Sequence, residues 1–126
     1  MEISKVLLFD KTEHINSDKA FRFVDIKTNY DSSRLADLYR LCDCDCITVT
    51  RLTDKIDIWC DDEGLLVDGN SLVRFNNEFG EQTLAGNLLF TTRDRNDPDR
   101  MVDITEEQVI EIKKMVTGWK PLEKPQ

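Results

Sequence analysis

Two groups of side chains in this sequence are of types that do chemistry when brought together. The first is sulfur. Cys42, Cys44 and Cys46 alternate with Asp43 and Asp45, and Cys60 follows fourteen residues later. A thiolate is a soft ligand suited to zinc, and structural zinc sites are tetrahedral sets of Cys or His. Four cysteines within nineteen residues make Cys42, Cys44, Cys46 and Cys60 candidate ligands of a structural zinc ion. Pairing of neighbouring strands would bring Cys46 and Cys60 together. The spacing is not CxxC, and alternate residues of an extended backbone share a face. The same cysteines therefore also read as small buried hydrophobes with the aspartates outside, and redox chemistry is a third reading. The single histidine, His14, is a substitute ligand or an ordinary loop side chain.

The second group is carboxylate: Asp54, Asp57, Asp61, Asp62 and Glu63, joined in sequence by Asp43 and Asp45. Paired carboxylates do acid–base work or hold a hard cation. Here the ligand spacing of a calcium loop is missing and no base stands nearby. Two readings remain: a solvated hairpin turn, or an anionic patch that binds Arg and Lys side chains of a partner. Arg93, Arg95 and Arg100 lie among Asp94, Asp97 and Asp99, a mixture that suits a self-compensating loop better than a phosphate grip. The glycines match neither a phosphate-binding loop nor a dinucleotide fingerprint. There is no HExxH motif and no serine elbow. The expectation is a protein that is not an enzyme.

Charge over the whole chain points the same way. The 126 residues carry 25 acids against 17 bases, a net charge of −8. Nucleic acids and anionic membranes need a positive face, so direct binding to either is not expected and a basic partner is. With 40% hydrophobic and 33% charged residues, the chain reads as one globular domain over residues 1–120, with a disordered tail at 121–126. No run approaches a membrane span and no secretory signal is legible, so the expected compartment is the cytoplasm.

The elements that must hold these residues follow from hydrophobic periodicity. Ile3 to Phe9 is a buried strand, and Phe21 to Lys27 alternates as a second. Leu35, Leu38, Tyr39 and Cys42 form one stripe of a helix over 33–42, started by Asp31-Ser32-Ser33. Cys46 to Leu52, Ile56 to Cys60 and Leu65 to Val67 read as an antiparallel meander, with Gly64 at its second turn for positive φ. Residues 68–82 read mostly as loop, with Ser71 to Phe75 able to pair briefly, and Leu84 to Arg93 as one strand. Thr105 and Gln108 resemble a capping box for a helix striped by Val109, Ile112, Met115 and Val116 and stopped by Gly118. Trp59 is a core residue or an interface anchor, and Trp119 is partly exposed. The sum is an α+β fold: a mostly antiparallel sheet with two helices packed on one face.

The segment Asp57-Ile58-Trp59-Cys60-Asp61-Asp62-Glu63-Gly64-Leu65-Leu66, with the strand Ile47–Leu52 before it, resembles a domain-of-unknown-function family of small phage- and plasmid-borne proteins. In that family a helix leads to a strand and a hairpin ending in an acidic-acidic-Gly turn. An asparagine-containing loop and a strand beginning near a glycine follow. The matching places are Leu35–Cys42, Ile47–Leu52, Ile56–Gly64, Asn70 and Gly86–Thr92, within roughly residues 21–116. The Cys42–Cys46 stretch departs from the pattern. In size and charge the chain is also similar to type II anti-CRISPR proteins, inhibitors of Cas9. The resemblance implies an anti-defence role in a bacterial host cell. The expected function is a non-enzymatic inhibitor that binds a host defence protein with a basic nucleic-acid-binding surface, such as Cas9, and blocks DNA loading. The partner-binding residues would be Asp54, Asp57, Asp61, Asp62 and Glu63. The alternative is a sponge that sequesters a nucleotide signal through Arg51, Arg74 or Arg93, and a small hydrolase is a third class.

Overall fold

The computed structural model describes residues 3–28, 32–64, 71–97 and 100–121. In chain order these form β1 (Ile3–Phe9), β2 (Phe21–Lys27), α1 (Ser32–Cys42), β3 (Ile47–Arg51), β4 (Ile56–Asp61), β5 (Ser71–Asn77) and β6 (Gly80–Ala85). Then come β7 (Leu88–Arg93), β8 (Met101–Val102), α2 (Glu106–Met115) and β9 (Val116–Pro121). The larger sheet runs β2-β1-β7-β4-β3, with the short β8 also on β7, and a second sheet runs β6-β5-β9. Every pairing is antiparallel. The fold is therefore α+β and mostly antiparallel, as the sequence predicts.

The placement of the helices is not as predicted. β7 is the central strand because Leu88, Leu89 and Phe90 are fully buried, so both of its faces must be covered. One face joins Val6, Leu8, Ile26 and Leu89 to Leu38, Leu41 and Cys42 of α1. The other joins Leu7, Phe9, Ile58, Cys60, Leu88 and Phe90 to Val73 and Phe75 of the second sheet and to Ile112 of α2. The two helices thus stand on opposite faces of the larger sheet. Each fully buried Leu, Ile or Phe in these clusters contributes about 1.5–3 kcal/mol of transfer free energy, so neither face could be left open.

Four local readings are also corrected. Residues 71–85 form a hairpin of two full strands rather than a loop, closed at Gly80 with φ +104°. The run from Leu84 to Arg93 divides into β6 and β7, because Gly86 takes φ +89° between them. Gly64 is required for close approach: a Cβ there would lie 2.6 Å from the Ala85 carbonyl oxygen. The α2 capping box is present, with Thr105 Oγ1 accepting from the Gln108 amide at 3.1 Å and Gln108 Oε1 accepting from the Thr105 amide at 3.0 Å. Gly118 does not stop α2; the helix ends at Met115 and passes directly into β9, where Gly118 lies opposite Arg74. The predicted third meander strand (Leu65–Val67) and Asn70 lie outside the described residues, as do Pro98, Asp99 and the tail from 122 onward.

Candidate functional site

Both groups of candidate residues sit on or beside the β3–β4 hairpin. Its register pairs Ile47 with Asp61, Thr48 with Cys60, Val49 with Trp59 and Arg51 with Asp57. The six residues of β4 advance the chain roughly 20 Å, at about 3.3 Å per residue. The five predicted acids are therefore not one cluster. Asp54 and Asp57 lie at the turn end of the hairpin, and Asp61, Asp62 and Glu63 lie at the other.

The turn end is built around a cation from a distant strand. Thr53 Oγ1 accepts from the Lys55 and Ile56 amides at 3.1 and 3.0 Å, which fixes the turn. Arg93, at the end of β7, donates from Nη2 to the Thr53 carbonyl at 3.2 Å and to the Asp54 carbonyl at 2.7 Å. Its Nε lies 3.3 Å from Asp57 Oδ2, a charge contact without hydrogen-bond alignment. Both side chains are largely buried, at 15% and 16% exposure. Burial raises the Asp57 pKa above the ordinary carboxylate value, and the charges of Arg93 and Arg51 pull it partly back. A cleft of about 440 Å³ opens here, lined by Asp54, Lys55, Arg93, Asp94 and Arg95. Its charges are mixed.

The far end gathers acids from two segments. After α1, Asp43 takes φ +52°, a left-handed conformation that aspartate tolerates better than most residues and that turns the chain toward β3. The Asp62 amide then donates to the Cys46 carbonyl at 2.8 Å, and the Glu63 amide donates to Asp61 Oδ1 at 2.9 Å. Asp43 and Asp45 are thereby brought to the same end as Asp61, Asp62 and Glu63. Lys11 Nζ meets Asp43 Oδ2 at 2.8 Å. Among the described residues, Asp45, Asp61, Asp62 and Glu63 make no ion pair within 4 Å.

The thiols accompany this end without assembling a ligand set. Cys42 and Cys44 pack on the α1 side of the sheet, where Cys42 Sγ donates to the Trp59 carbonyl at 3.4 Å. Cys60 points into the opposite cluster. It pairs with Thr48 rather than with Cys46, which is exposed. Burial, with smaller contributions from neighbouring thiols and Asp61, pushes Cys42 well above the ordinary thiol range; burial raises Cys44, and it takes Cys60 up to about 11. Cys42 and Cys60 thus pack into clusters on opposite faces of the sheet. Among the described residues no three His, Cys, Asp or Glu side chains are grouped to hold a metal ion. The arrangement matches the buried-hydrophobe reading for Cys42 and Cys60.

The remaining candidates are dispersed. Arg51 is on β3, Arg74 on β5 pairs with Glu81 at 3.0 Å, and Arg93 is committed to the turn. Arg93 lines the cleft at the turn, whereas Arg74 lines a different one with Leu72, Thr83, Gly118, Trp119 and Lys120. Trp59 is half-buried, with Nε1 donating to Thr91 Oγ1 at 2.9 Å and the Arg34 guanidinium 5.9 Å from its ring. Trp119 packs against the core, and His14 lies on it with ring centroids 4.3 Å apart. The charged loop is partly self-compensating through Arg100 and Asp94 at 3.7 Å. Two residues missed in the sequence shape the acidic end. Asn87 donates to the Leu41 carbonyl at 2.9 Å and accepts from the Lys11 amide at 2.9 Å, so the loop after β1 is fastened beside α1 and Lys11 reaches Asp43. The Gly86-Asn87 dipeptide was the only local signal of such a turn.

No helix among the described residues is long and apolar enough to cross a membrane. Comparison with curated proteins finds no match. Comparison with solved structures finds none either. A family model described as a domain of unknown function (DUF3846) matches residues 12–117, a span that runs from β2 through α2 and includes Asp43, Asp45, Asp61, Asp62 and Glu63, with β1 and most of β9 outside it. The chain belongs to the DUF3846 family.

Proposed function

We propose that this protein is a non-enzymatic inhibitor of mobile-element origin that binds a basic, nucleic-acid-handling host protein and obstructs its nucleic-acid channel. A CRISPR effector such as Cas9 is the named candidate partner. The observation that carries this reading is the acidic end: Asp43, Asp45, Asp61, Asp62 and Glu63 converge there, and Lys11 is their one ion-pair partner among the described residues. Unlike the turn end, this surface keeps its charge available to an outside partner. Complementary charge speeds encounter with a cationic groove and competes with phosphate for the same Arg and Lys side chains. The net charge of −8 supports the same partner class. Asp54 and Asp57, which the sequence groups with these acids, belong to the turn and are left out of the patch.

The test is direct binding and DNA cleavage with purified effector, with the salt concentration varied. Affinity should fall as salt rises, and Asp61→Asn/Asp62→Asn/Glu63→Gln should weaken it at least tenfold, since each charge contact is worth roughly 0.5–1 kcal/mol near a surface. Binding indifferent to salt or to the triple variant overturns the proposal. So does the absence of binding across a panel of defence nucleases.

A further inference from the structure

The two sheets end in four terminal strands among the described residues: β2, β3, β6 and β9. An unpaired strand edge is a template for another chain, and proteins blunt it with charge, proline or glycine. β2 carries Arg22, Asp25 and Lys27; β6 carries Gly80 and Glu81; β9 carries Gly118, Lys120 and Pro121. β3 is different. Its run Ile47-Thr48-Val49-Thr50 is β-branched and uncharged up to Arg51, and Val49 is 47% exposed.

The hydrogen-bond parity of this edge is fixed by its inner neighbour. The Asp62 amide donates to the Cys46 carbonyl and the Leu52 amide to the Ile56 carbonyl, so the even-numbered residues of β3 bond inward to β4. Ile47, Val49 and Arg51 therefore turn their amides and carbonyls outward. Ile47, Val49 and Arg51 share one side-chain face of β3, and Asp45 lies two residues before it in the bend that leads into the strand, so the odd-numbered series reads acid, two aliphatics and base in the order Asp45, Ile47, Val49, Arg51. That order is self-complementary in an antiparallel pair. With Thr48 on the two-fold axis, Ile47 meets Val49 of a second copy on a hydrogen-bonded rung, and Asp45 meets the second copy's Arg51, each contact occurring twice. The alternative centre on Val49 would set Asp45 opposite Thr53 and lose both charge pairs.

The geometry points to a homodimer of this protein, formed by antiparallel pairing of β3 with β3 of a second copy in the register that sets Asp45 against Arg51. The two larger sheets become one continuous sheet, and the two copies of α1 stand on the same face. Arg34 in the first turn of α1 reaches the Trp59 ring beside Val49, and its neighbour Leu35 is 46% exposed, so apolar surface flanks the junction. One side chain already lies at this edge: Gln82 Nε2 donates to the Arg51 carbonyl at 3.4 Å, a long bond that the pairing displaces.

Light scattering or sedimentation of the full chain under a reductant, so that exposed Cys46 forms no intermolecular disulfide, reads the outcome. The expected mass is twice that of the chain. Asp45→Arg and Arg51→Asp should each raise the dissociation constant about tenfold by turning two attractive pairs repulsive, and the double swap should restore it. Val49→Lys should give a folded monomer, verified by circular dichroism, because the side chain at 49 is half exposed in the single chain but stands against Ile47 of the second copy in the pair. A monomeric wild-type chain overturns the proposal. Dimers that survive Val49→Lys overturn the β3 edge, and a double swap no better than the single variants overturns the register.

Discussion

The two ends of the β3–β4 hairpin have similar sequence and opposite electrostatics. Thr53-Asp54-Lys55 with Asp57 and Asp61-Asp62-Glu63 are both short acidic turns. At the first, Arg93 arrives from β7, satisfies two carbonyls and faces Asp57 in a largely buried contact. At the second, the additional residues that arrive are Asp43 and Asp45, and the only cation paired there among the described residues is Lys11, held to an aspartate 68% exposed. An acidic run becomes a structural joint or a charged surface according to what the fold delivers to it.

That contrast predicts a large difference in stability. Arg93→Met should cost about 2–4 kcal/mol, because it orphans two turn carbonyls and leaves Asp57 buried without its partner. Lys11→Met, which removes the corresponding pair at the acidic end, should cost less than about 1 kcal/mol, since solvent screens it. Urea unfolding of the two variants measures both. Equal losses would break the comparison.

A smaller effect concerns pH. Burial raises the Asp57 pKa, with Arg93 and Arg51 opposing. Between the ordinary carboxylate value and that raised one, the native chain binds more protons than the unfolded chain. Stability contributed by this group therefore falls as pH rises through the window. Asp57→Asn should remove that component and shift neutral-pH stability by no more than about 1 kcal/mol, because lost attraction to Arg93 offsets relieved burial. Asp10 has the opposite sign. Burial raises it, but hydrogen bonds from Thr12 and the Arg22 guanidinium outweigh that and lower its pKa. Its contribution is present above the ordinary carboxylate value and is lost as pH falls through the lowered one. Unfolding midpoints of Asp57→Asn and Asp10→Asn between about pH 3 and about pH 7 should diverge from wild type in opposite directions.

How much of this the sequence carried depends on whether the deciding contact was local. The alternation of Ile56, Ile58 and Cys60 and the Thr105–Gln108 box are written within a few residues, and both form as predicted. The β5–β6 hairpin was obscured because Asn76, Asn77 and Gly80 read as loop residues, although Val73 and Phe75 already alternated as buried positions should. The five acids Asp54, Asp57, Asp61, Asp62 and Glu63 are close in sequence yet divide between two ends, because β4 separates them by its own length. Arg93 could not be assigned to Asp57, since they are joined only by the pairing of β4 with β7. For the cysteines, proximity in sequence says nothing of which face of the sheet each side chain takes: Cys42 and Cys44 pack on one and Cys60 on the other.

The smallest expected effect is the most discriminating. Asp61→Asn/Asp62→Asn/Glu63→Gln removes three charges from the acidic end, while the amide oxygen introduced at position 61 still accepts from the backbone amide of residue 63. None of the three has an ion-pair partner to lose among the described residues, and Asp62 and Glu63 are exposed. Like-charge repulsion with Asp43 and Asp45 is relieved instead, so stability should be unchanged or rise by up to about 0.5 kcal/mol at low salt. The gain should vanish as salt is added, because screening already weakens the repulsion in the wild-type chain. A clear loss of stability would mean that these carboxylates hold the fold together as Asp57 and Arg93 do, and the difference between the two ends would disappear. A small salt-dependent gain, together with lost binding to a cationic partner, would mark the acidic end as surface that the fold maintains at its own expense.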